Sequence, residues 1–541
     1  MIRTPLSARA ADFERLSSGT WDLLVIGGGI VGVGAALDAA LRGARVALVE
    51  RDDIGSGTSS RSSKLIHGGL RYLEQFQFRL VGEALAERRR LLRLAPHLVR
   101  LEQFLVPVYG SPILVPYLGA GLTLYGVLGA ARDGGWPRFV TRGRALALSP
   151  ALRPDRLRGA YVYWDGVEDD ARLALAAART ARRAGALLLT RADAGPVSEG
   201  APATVDVRDR LGVATVSVTA RVVIDATGAS EPDAGTLPSR GSHIVVARDR
   251  IPTQLGMTIR VPGRVIFVIP WHRHWLIGTT DVVHHGSTRR PTATREEVDY
   301  LLRHTNEALD IDLTSADVVA TYAGIRPLAV RDRRGVIDSV QASREHRVRR
   351  HGSLVTVRGG KFTTYGVIAR DVVDAALGKV RSHAPGAADQ PLIGAGAPAE
   401  LAMVRNTLET RYRLSPLLAE RLVGRHGTQA LDVARQSVRA GLLRPLGPDG
   451  DYLEGEVLWA ARHEWALSLD DVLARRTRLA IEARDHGQSV AERVADILGE
   501  AIGWTAAERQ VAIAEYRSAS DREYGVPAVG EREERLQAVA G

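Results

Sequence analysis

An α/β chain with a helical C-terminal part is what this sequence predicts, on three observations. Residues 21–50 read as strand, glycine turn, helix, strand; further β-rich runs recur up to about residue 357; and after about Pro398 strand signals give way to helical spacing. In the first unit Asp22 to Ile26 is an apolar, β-rich run and Gly27 to Gly34 a glycine turn. Ile30 to Arg42 then has helical spacing that stops at Gly43, and Arg45 to Glu50 is a second strand. A later run, Arg221 to Asp225, enters Ala226-Thr227-Gly228, and before it Thr204 to Ala220 alternates like a sheet hairpin. Strands are also predicted at Arg264 to Val268, around Trp275 to Ile277 and at Leu354 to Val357, and helices at Ala399 to Arg413 and Ser489 to Ile502. The Ala-, Gly- and Pro-rich segment from Ala384 to Pro398 sets the expected boundary, dividing residues 20–390 from a helical domain over 391–541.

Composition narrows the classes. With 541 residues, 45% hydrophobic and 25% charged, the chain is ordinary globular material, which excludes intrinsic disorder. The absence of cysteine excludes disulfides, thiolate metal sites, a cysteine nucleophile and any cysteinyl-linked cofactor. Of 72 cationic side chains only Lys64, Lys361 and Lys379 are lysine, which leaves 72 − 3 = 69 arginines. Arginine clusters such as Arg88 to Arg90 or the run from Arg344 to His351 therefore read as solvated basic faces, whereas a lysine marks a place suited to a compact point charge. The net charge of +10 favours anionic substrates or anionic lipid, and no nucleic-acid-binding module is present.

The first twenty residues lack an apolar run, so neither a secretory signal nor export is expected. Gln103 to Ala131 carries no charge. Prolines 107, 112 and 116 break its first half and leave Tyr117 to Ala131 as a helix, shorter than the roughly 20 residues a span needs. Two readings stay open for it, a buried element and a membrane-surface anchor.

The motif with most chemical content is Gly27-x-Gly29-x-x-Gly32 between strand and helix, with Glu50 at the end of the next strand. Glycines permit a tight turn and close approach of backbone to a pyrophosphate, helix N–H groups meet the phosphate, and the carboxylate accepts hydrogen bonds from ribose hydroxyls. This predicts a bound dinucleotide on a Rossmann-like unit. The next segment, Gly57-Thr-Ser-Ser-Arg-Ser-Ser-Lys-Leu-Ile-His-Gly-Gly-Leu-Arg-Tyr-Leu73, is rich in hydroxyl and backbone donors suited to clamping an extended anionic cofactor.

TSSRSSKLIHGGLRYL after GGGIVG closely resembles the FAD-dependent, respiratory glycerol-3-phosphate dehydrogenases. The likeness continues through Arg240–Val246 (RGSHIVV), Phe267–Trp271 (FVIPW), Ile277–Asp281 (IGTTD), Tyr322–Leu328 (YAGIRPL) and Arg358–Tyr365 (RGGKFTTY), covering roughly residues 20–380 in order. It implies a Rossmann-like FAD-binding domain interleaved with a mixed-sheet substrate domain, followed by the helical domain. It also implies oxidation of sn-glycerol 3-phosphate to dihydroxyacetone phosphate by hydride transfer to FAD, with electrons passed to a membrane quinone. On this resemblance Arg71, Tyr72, Arg326 and Arg344 are candidates for holding the substrate phosphate, and His243 for the base that takes the hydroxyl proton. Lys361 is the candidate for stabilising charge on the reduced cofactor or the substrate oxygen.

The expected cofactor contacts are Gly27, Gly29, Gly32, Glu50, Thr58, Ser59, Ser63, Lys64, Leu65, His67, Gly68, Gly228, Gly360 and Thr363. Lys64 and His67 each also have a purely structural reading. One departure is the short loop after Gly228, which bears on one wall of the substrate pocket. Neither a calcium loop nor a metal site is expected, the His272-Arg273-His274 cluster lacking a third ligand. The chain is expected to be cytoplasmic or peripheral on the cytoplasmic face of the membrane, with homodimer formation open. The rivals are a glycerol-3-phosphate oxidase that delivers electrons to dioxygen and a non-catalytic FAD-binding protein.

Overall fold

The computed structural model describes residues 5–528, except 70, 75, 130–134, 213, 230–235, 262–263, 330–345, 379–389 and 448–449. Two sheets share the chain. In the first, Thr20–Ile26 lies between Val46–Val49 and Thr215–Asp225; Leu187–Leu189 and Leu354–Gly359 extend it on either side, all these contacts being parallel. Successive residues of these strands serve opposite faces. Leu23 and Val25 pack with the helices Ile30–Leu41, Asp170–Arg183 and Tyr365–Leu377, while Leu24 meets Phe13 and Leu16 of the N-terminal helix Pro5–Ser17. Both faces are thus covered, which is why the strands read as continuous apolar runs.

The second sheet is mixed. Thr236–Ala247 is flanked by His274–Gly278 and Val318–Ala329, and the sheet continues through Arg264–Trp271, Gly256–Val261, Val99–Tyr109 and Leu157–Glu168 to the short strand Leu65–Ile66. The chain passes repeatedly between the two sheets, which is the interleaving that the family resemblance implies. After Pro398 come helices Pro398–Thr410, Pro416–His426, Ala430–Arg439, Glu454–His463, Ala491–Ile502 and Ala506–Tyr524. Prolines sit at the first helical positions of two of them, where the missing N–H costs nothing.

Several expectations are corrected. Ala203–Asp209 does pair antiparallel with Thr215–Ala220, but the second strand runs on unbroken to Asp225, its far half being a member of the parallel sheet. The apolar helix is Leu114–Leu128 and begins ahead of Pro116, because a proline in the first turn gives up no intrahelical hydrogen bond. Only Leu122 and Tyr125 of this helix are buried, so its reading as a core element does not hold. Nor are Arg88 and Arg90 a solvated face; they are buried in ion pairs with Asp165 and Glu87, each at 2.9 Å.

Candidate active site

The glycine turn is shaped by what its residues lack. Gly27 has φ +110°, and a Cβ at Gly32 would stand 2.0 Å from the Gly27 carbonyl oxygen. A side chain at Gly28 would strike Glu50 at 2.9 Å. Glu50 is fixed here, its Oε2 accepting from Gly28 N–H at 2.5 Å and its Oε1 from Asp52 N–H at 2.7 Å. Desolvation pushes its pKa up to about 7, so hydroxyl donors from a ribose would favour the ionised form. Ser59 Oγ accepts from Ile30 N–H at 2.9 Å and so reaches the first turn of the helix Ile30–Leu41. This cradle and its acid fit a dinucleotide, with phosphate at the helix N-terminus and ribose at Glu50.

The remaining candidates lie on strands of the second sheet and on turns that follow strands of both sheets. His243 lies on Thr236–Ala247, with its ring stacked on Tyr322 at 4.7 Å and Ser63 Oγ 2.9 Å from Nε2. Burial first, then the positive charges of Arg326 and Lys64, hold its pKa well below the usual imidazole range. His243 is therefore neutral at neutral pH and able to accept a proton.

Arg326 lies opposite Ser239 on the neighbouring strand and occupies the space that Gly241 leaves, where a Cβ would be 2.2 Å from Nη2. Its guanidinium donates to Thr279 Oγ1 at 2.8 Å and to the Thr280 carbonyl at 3.2 Å, and keeps about a fifth of its side chain exposed (21%). Thr280 is held in turn by Glu297, which also pairs with Arg240 at 2.9 Å.

Lys361 and Tyr72 meet, the ammonium standing 3.9 Å from the ring centroid. Lys361 follows Gly359 and Gly360, both at positive φ, and a Cβ at Gly360 would strike Ile368 at 2.4 Å. Thr363 lies buried in the turn that follows. Thr58 Oγ1 donates to the Ile325 carbonyl at 2.6 Å, next to Arg326. His67 meets Phe267 edge to face at 5.9 Å, and Gly68 N–H donates to the Tyr125 hydroxyl at 2.8 Å. Gly228 takes positive φ just after the strand ending at Asp225, whose carboxylate accepts from Arg358 at 2.6 Å. Leu65 is buried in the strand beside them.

Lys64 is the exception among the cofactor candidates. Its side chain is 1% exposed and its ammonium donates to both Asp170 oxygens at 2.8 and 2.7 Å and to the Ser60 carbonyl at 2.9 Å. The ammonium is thus engaged by Asp170 and the Ser60 carbonyl, which is the structural role that the sequence left open for Lys64. Arg344 and the loop residues after Ala229 lie outside the described residues, as does the side chain of Arg71, whose backbone opens the short helix Arg71–Glu74. Tyr322, Thr279, Gly241 and Gly278 were missed as site residues. Each belongs to a motif already singled out, and Gly241 and Gly278, the glycines beside His243 and Thr279, were the readable signal.

The pattern of the family described as FAD dependent oxidoreductase matches residues 22–375, and that of the C-terminal domain of alpha-glycerophosphate oxidase matches residues 386–509. Glycerol-3-phosphate dehydrogenase 2 of Mycobacterium bovis is 40% identical over 532 residues, 95% of this chain and 90% of the relative. This chain belongs to the FAD-dependent glycerol-3-phosphate dehydrogenase family. The mitochondrial glycerol-3-phosphate dehydrogenase of Homo sapiens is 35% identical, over 94% of this chain and 74% of its own length. The crystal structure of glycerol-3-phosphate dehydrogenase from Bacillus halodurans complexed with FAD superposes with a TM-score of 0.78 at 25% identity, covering 97% of this chain and 99% of that one. FAD is accordingly the dinucleotide that the cradle is built for.

Proposed function

We propose that this chain oxidises sn-glycerol 3-phosphate to dihydroxyacetone phosphate and passes the electrons to a membrane quinone. The observation that carries the reading is the meeting of a neutral buried histidine and a partly open arginine on adjacent strands, beside turns of the kind that clamp a flavin. FAD, when bound, supplies the two-electron acceptor. Arg326 grips the phosphate in bidentate fashion, with Arg71, Tyr72 and Arg344 completing the grip. His243 takes the proton of the C2 hydroxyl while the C2 hydrogen leaves as hydride with both electrons of its bond, so the carbinol becomes a ketone by loss of one proton and one hydride. Lys361 stabilises the negative charge that develops. Gly27, Gly29, Gly32, Gly68, Gly228 and Gly360, with Glu50, Thr58, Ser59 and Thr363, line the cofactor, on a unit we place at residues 20–390 ahead of a helical domain we place at residues 391–541.

Attachment to an anionic lipid surface is part of the proposal. Along the helix Leu114–Leu128 and the strand after it, Ile113, Val127 and Trp136 are 71%, 56% and 59% exposed, with Tyr117, Leu124 and Phe139 beside them. Exposed arginines, Arg138, Arg142 and Arg144, fringe this patch. Fifteen residues rise about 22 Å, against the ~30 Å of a hydrocarbon core, and among the described residues no helix is long and apolar enough to cross a membrane. The arrangement suits a helix lying in the interface, where a quinone is within reach. Steady-state turnover of sn-glycerol 3-phosphate with a soluble quinone analogue, and with dioxygen instead, tests the acceptor. Turnover with the quinone is expected, and turnover with dioxygen alone would make the chain an oxidase. Binding to anionic vesicles at low salt tests the surface, and protein that stays wholly unbound refutes it.

A further inference from the structure

A catalytic histidine has two ring nitrogens, and what holds each decides whether it can take a proton. The ring of His243 is clamped on three sides. Tyr322 lies nearly parallel to it, 8° between planes, with its own hydroxyl donating to the Ser62 carbonyl at 3.0 Å. On the adjacent strand Gly278 leaves the ring its space, since a Cβ there would stand 2.2 Å from Cδ2. Ser63 Oγ lies 2.9 Å from Nε2, whereas Nδ1 is buried and has no hydrogen-bond partner among the described residues.

A neutral imidazole carries its proton on one nitrogen and a lone pair on the other. With Nε2 occupied by Ser63, the nitrogen left for a substrate hydroxyl is Nδ1. Its lone pair is bare only when the ring proton sits on Nε2, and that proton then needs an acceptor, which the Ser63 oxygen provides. We propose that Ser63 is the positioning residue of the general base: by accepting from Nε2–H, it holds the tautomer that leaves Nδ1 to take the C2 hydroxyl proton of the substrate. The assignment rests on the reading of His243 as base, and moves Ser63 from the cofactor clamp to the apparatus of proton transfer.

The charged and titratable groups around the ring are Arg326 and Lys64, which disfavour the imidazolium, Asp170, which favours it, and the hydroxyl of Tyr322. Ser63 stays an acceptor for Nε2–H in both protonation states and binds the cation more strongly. Losing it therefore makes His243 a weaker base and a less ordered one.

Wild type, Ser63→Ala and Ser63→Thr, each as FAD-loaded protein, are mixed anaerobically with sn-glycerol 3-phosphate from about pH 9 down to the lowest pH at which the folded protein keeps its FAD, about pH 4, and flavin absorbance is followed in stopped flow. Ser63→Ala is expected to keep its FAD, to lose about 10-fold in limiting reduction rate, and to shift the acid limb of the profile to lower pH. Ser63→Thr, which restores the hydroxyl, is expected to recover most of the rate and the position of the limb. A wild-type rate and an unmoved limb in Ser63→Ala overturn the assignment. Loss of FAD from that variant overturns it too and returns Ser63 to the clamp. Wild-type flavin that the substrate leaves oxidised overturns the reading of the reaction together with the role of Ser63, and so marks itself apart from a failure of Ser63 alone.

Discussion

The cradle at residues 27–32 is held open by missing side chains, whereas the face where residues 454–482 meet the first sheet is held shut by charged ones. At the cradle, a single Cβ on Gly32 would overlap the Gly27 carbonyl. At the other face Asp53, fully buried, receives both Arg475 and Arg476. Arg172 meets Glu464 through two hydrogen bonds of 2.8 and 2.9 Å and Arg478 joins Asp169 and Asp170, while within the C-terminal helices Arg425 meets Glu456 through two of 2.7 Å. Guanidinium forks suit such bidentate burial, which gives a physical use to part of the chain's preference for arginine over lysine. The cradle tolerates nothing added, and the charged face tolerates nothing removed.

That contrast is easiest to break at the cradle. Gly32→Ala is expected to abolish FAD retention, read as the ratio of visible to protein absorbance after gel filtration, while the circular dichroism of the folded protein stays near wild type. Flavin retained at the wild-type ratio would refute the close approach.

At the charged face the expected effect is on stability instead. Asp53→Ala leaves two buried guanidinium groups without their shared carboxylate and is expected to cost about 3–5 kcal/mol, seen as a lowered midpoint in denaturant unfolding. An unchanged midpoint would mean that the arginines find other partners.

Arg326→Lys sharpens the comparison from the substrate side, because it keeps the charge and loses the fork. A fall of about 100-fold in kcat/KM for sn-glycerol 3-phosphate is expected, with FAD retained. Near-wild-type kcat/KM would take the phosphate grip away from this residue.

The last effect vanishes at neutral pH and grows only on acidification. His426 is buried between Arg172, whose Nη2 lies 3.1 Å from Nδ1, and Glu456, 3.1 Å from Nε2; burial first, then Arg172, lowers its pKa to about 4. The unfolded chain protonates this histidine near its ordinary value of about 6.5, so the folded state is fully favoured above that pH. Stability then falls by about 1.4 kcal/mol per pH unit between about 6.5 and about 4. Unfolding midpoints measured across that window should show this slope diminished in His426→Gln; an identical slope in both proteins would contradict it.

The same contrast explains what the sequence could and could not tell. A region defined by absent side chains must space its glycines within one turn of chain, so Gly27, Gly29, Gly32 and the acid at Glu50 were legible as a local pattern. So were the strand runs expected at Arg264 to Val268 and Leu354 to Val357, whose β-branched residues mark them and which the structure extends to Arg264–Trp271 and Leu354–Gly359. An ion pair between distant residues leaves no such local trace. Lys64 and Asp170 are 106 positions apart, and Arg475 and Asp53 are 422 apart. Reading Arg88 as part of a solvated face failed, and the ion pair of Lys64 stayed hidden, because Asp165 and Asp170 lie far off in sequence, whereas Glu87, three residues before Arg90, was a local sign of burial. The link between Ser63 and His243, 180 positions apart, was hidden in the same way, although both residues stood in motifs already marked.

A flavin held in the cradle is expected to take two electrons from a phosphorylated carbinol gripped beside His243. The most direct measurement is the visible spectrum of the purified protein without air, before and after sn-glycerol 3-phosphate is added, with unphosphorylated glycerol as control. An oxidised-flavin spectrum that bleaches with the phosphate ester and persists with glycerol is expected. Flavin that is fully bound and stays oxidised at saturating ester would contradict it.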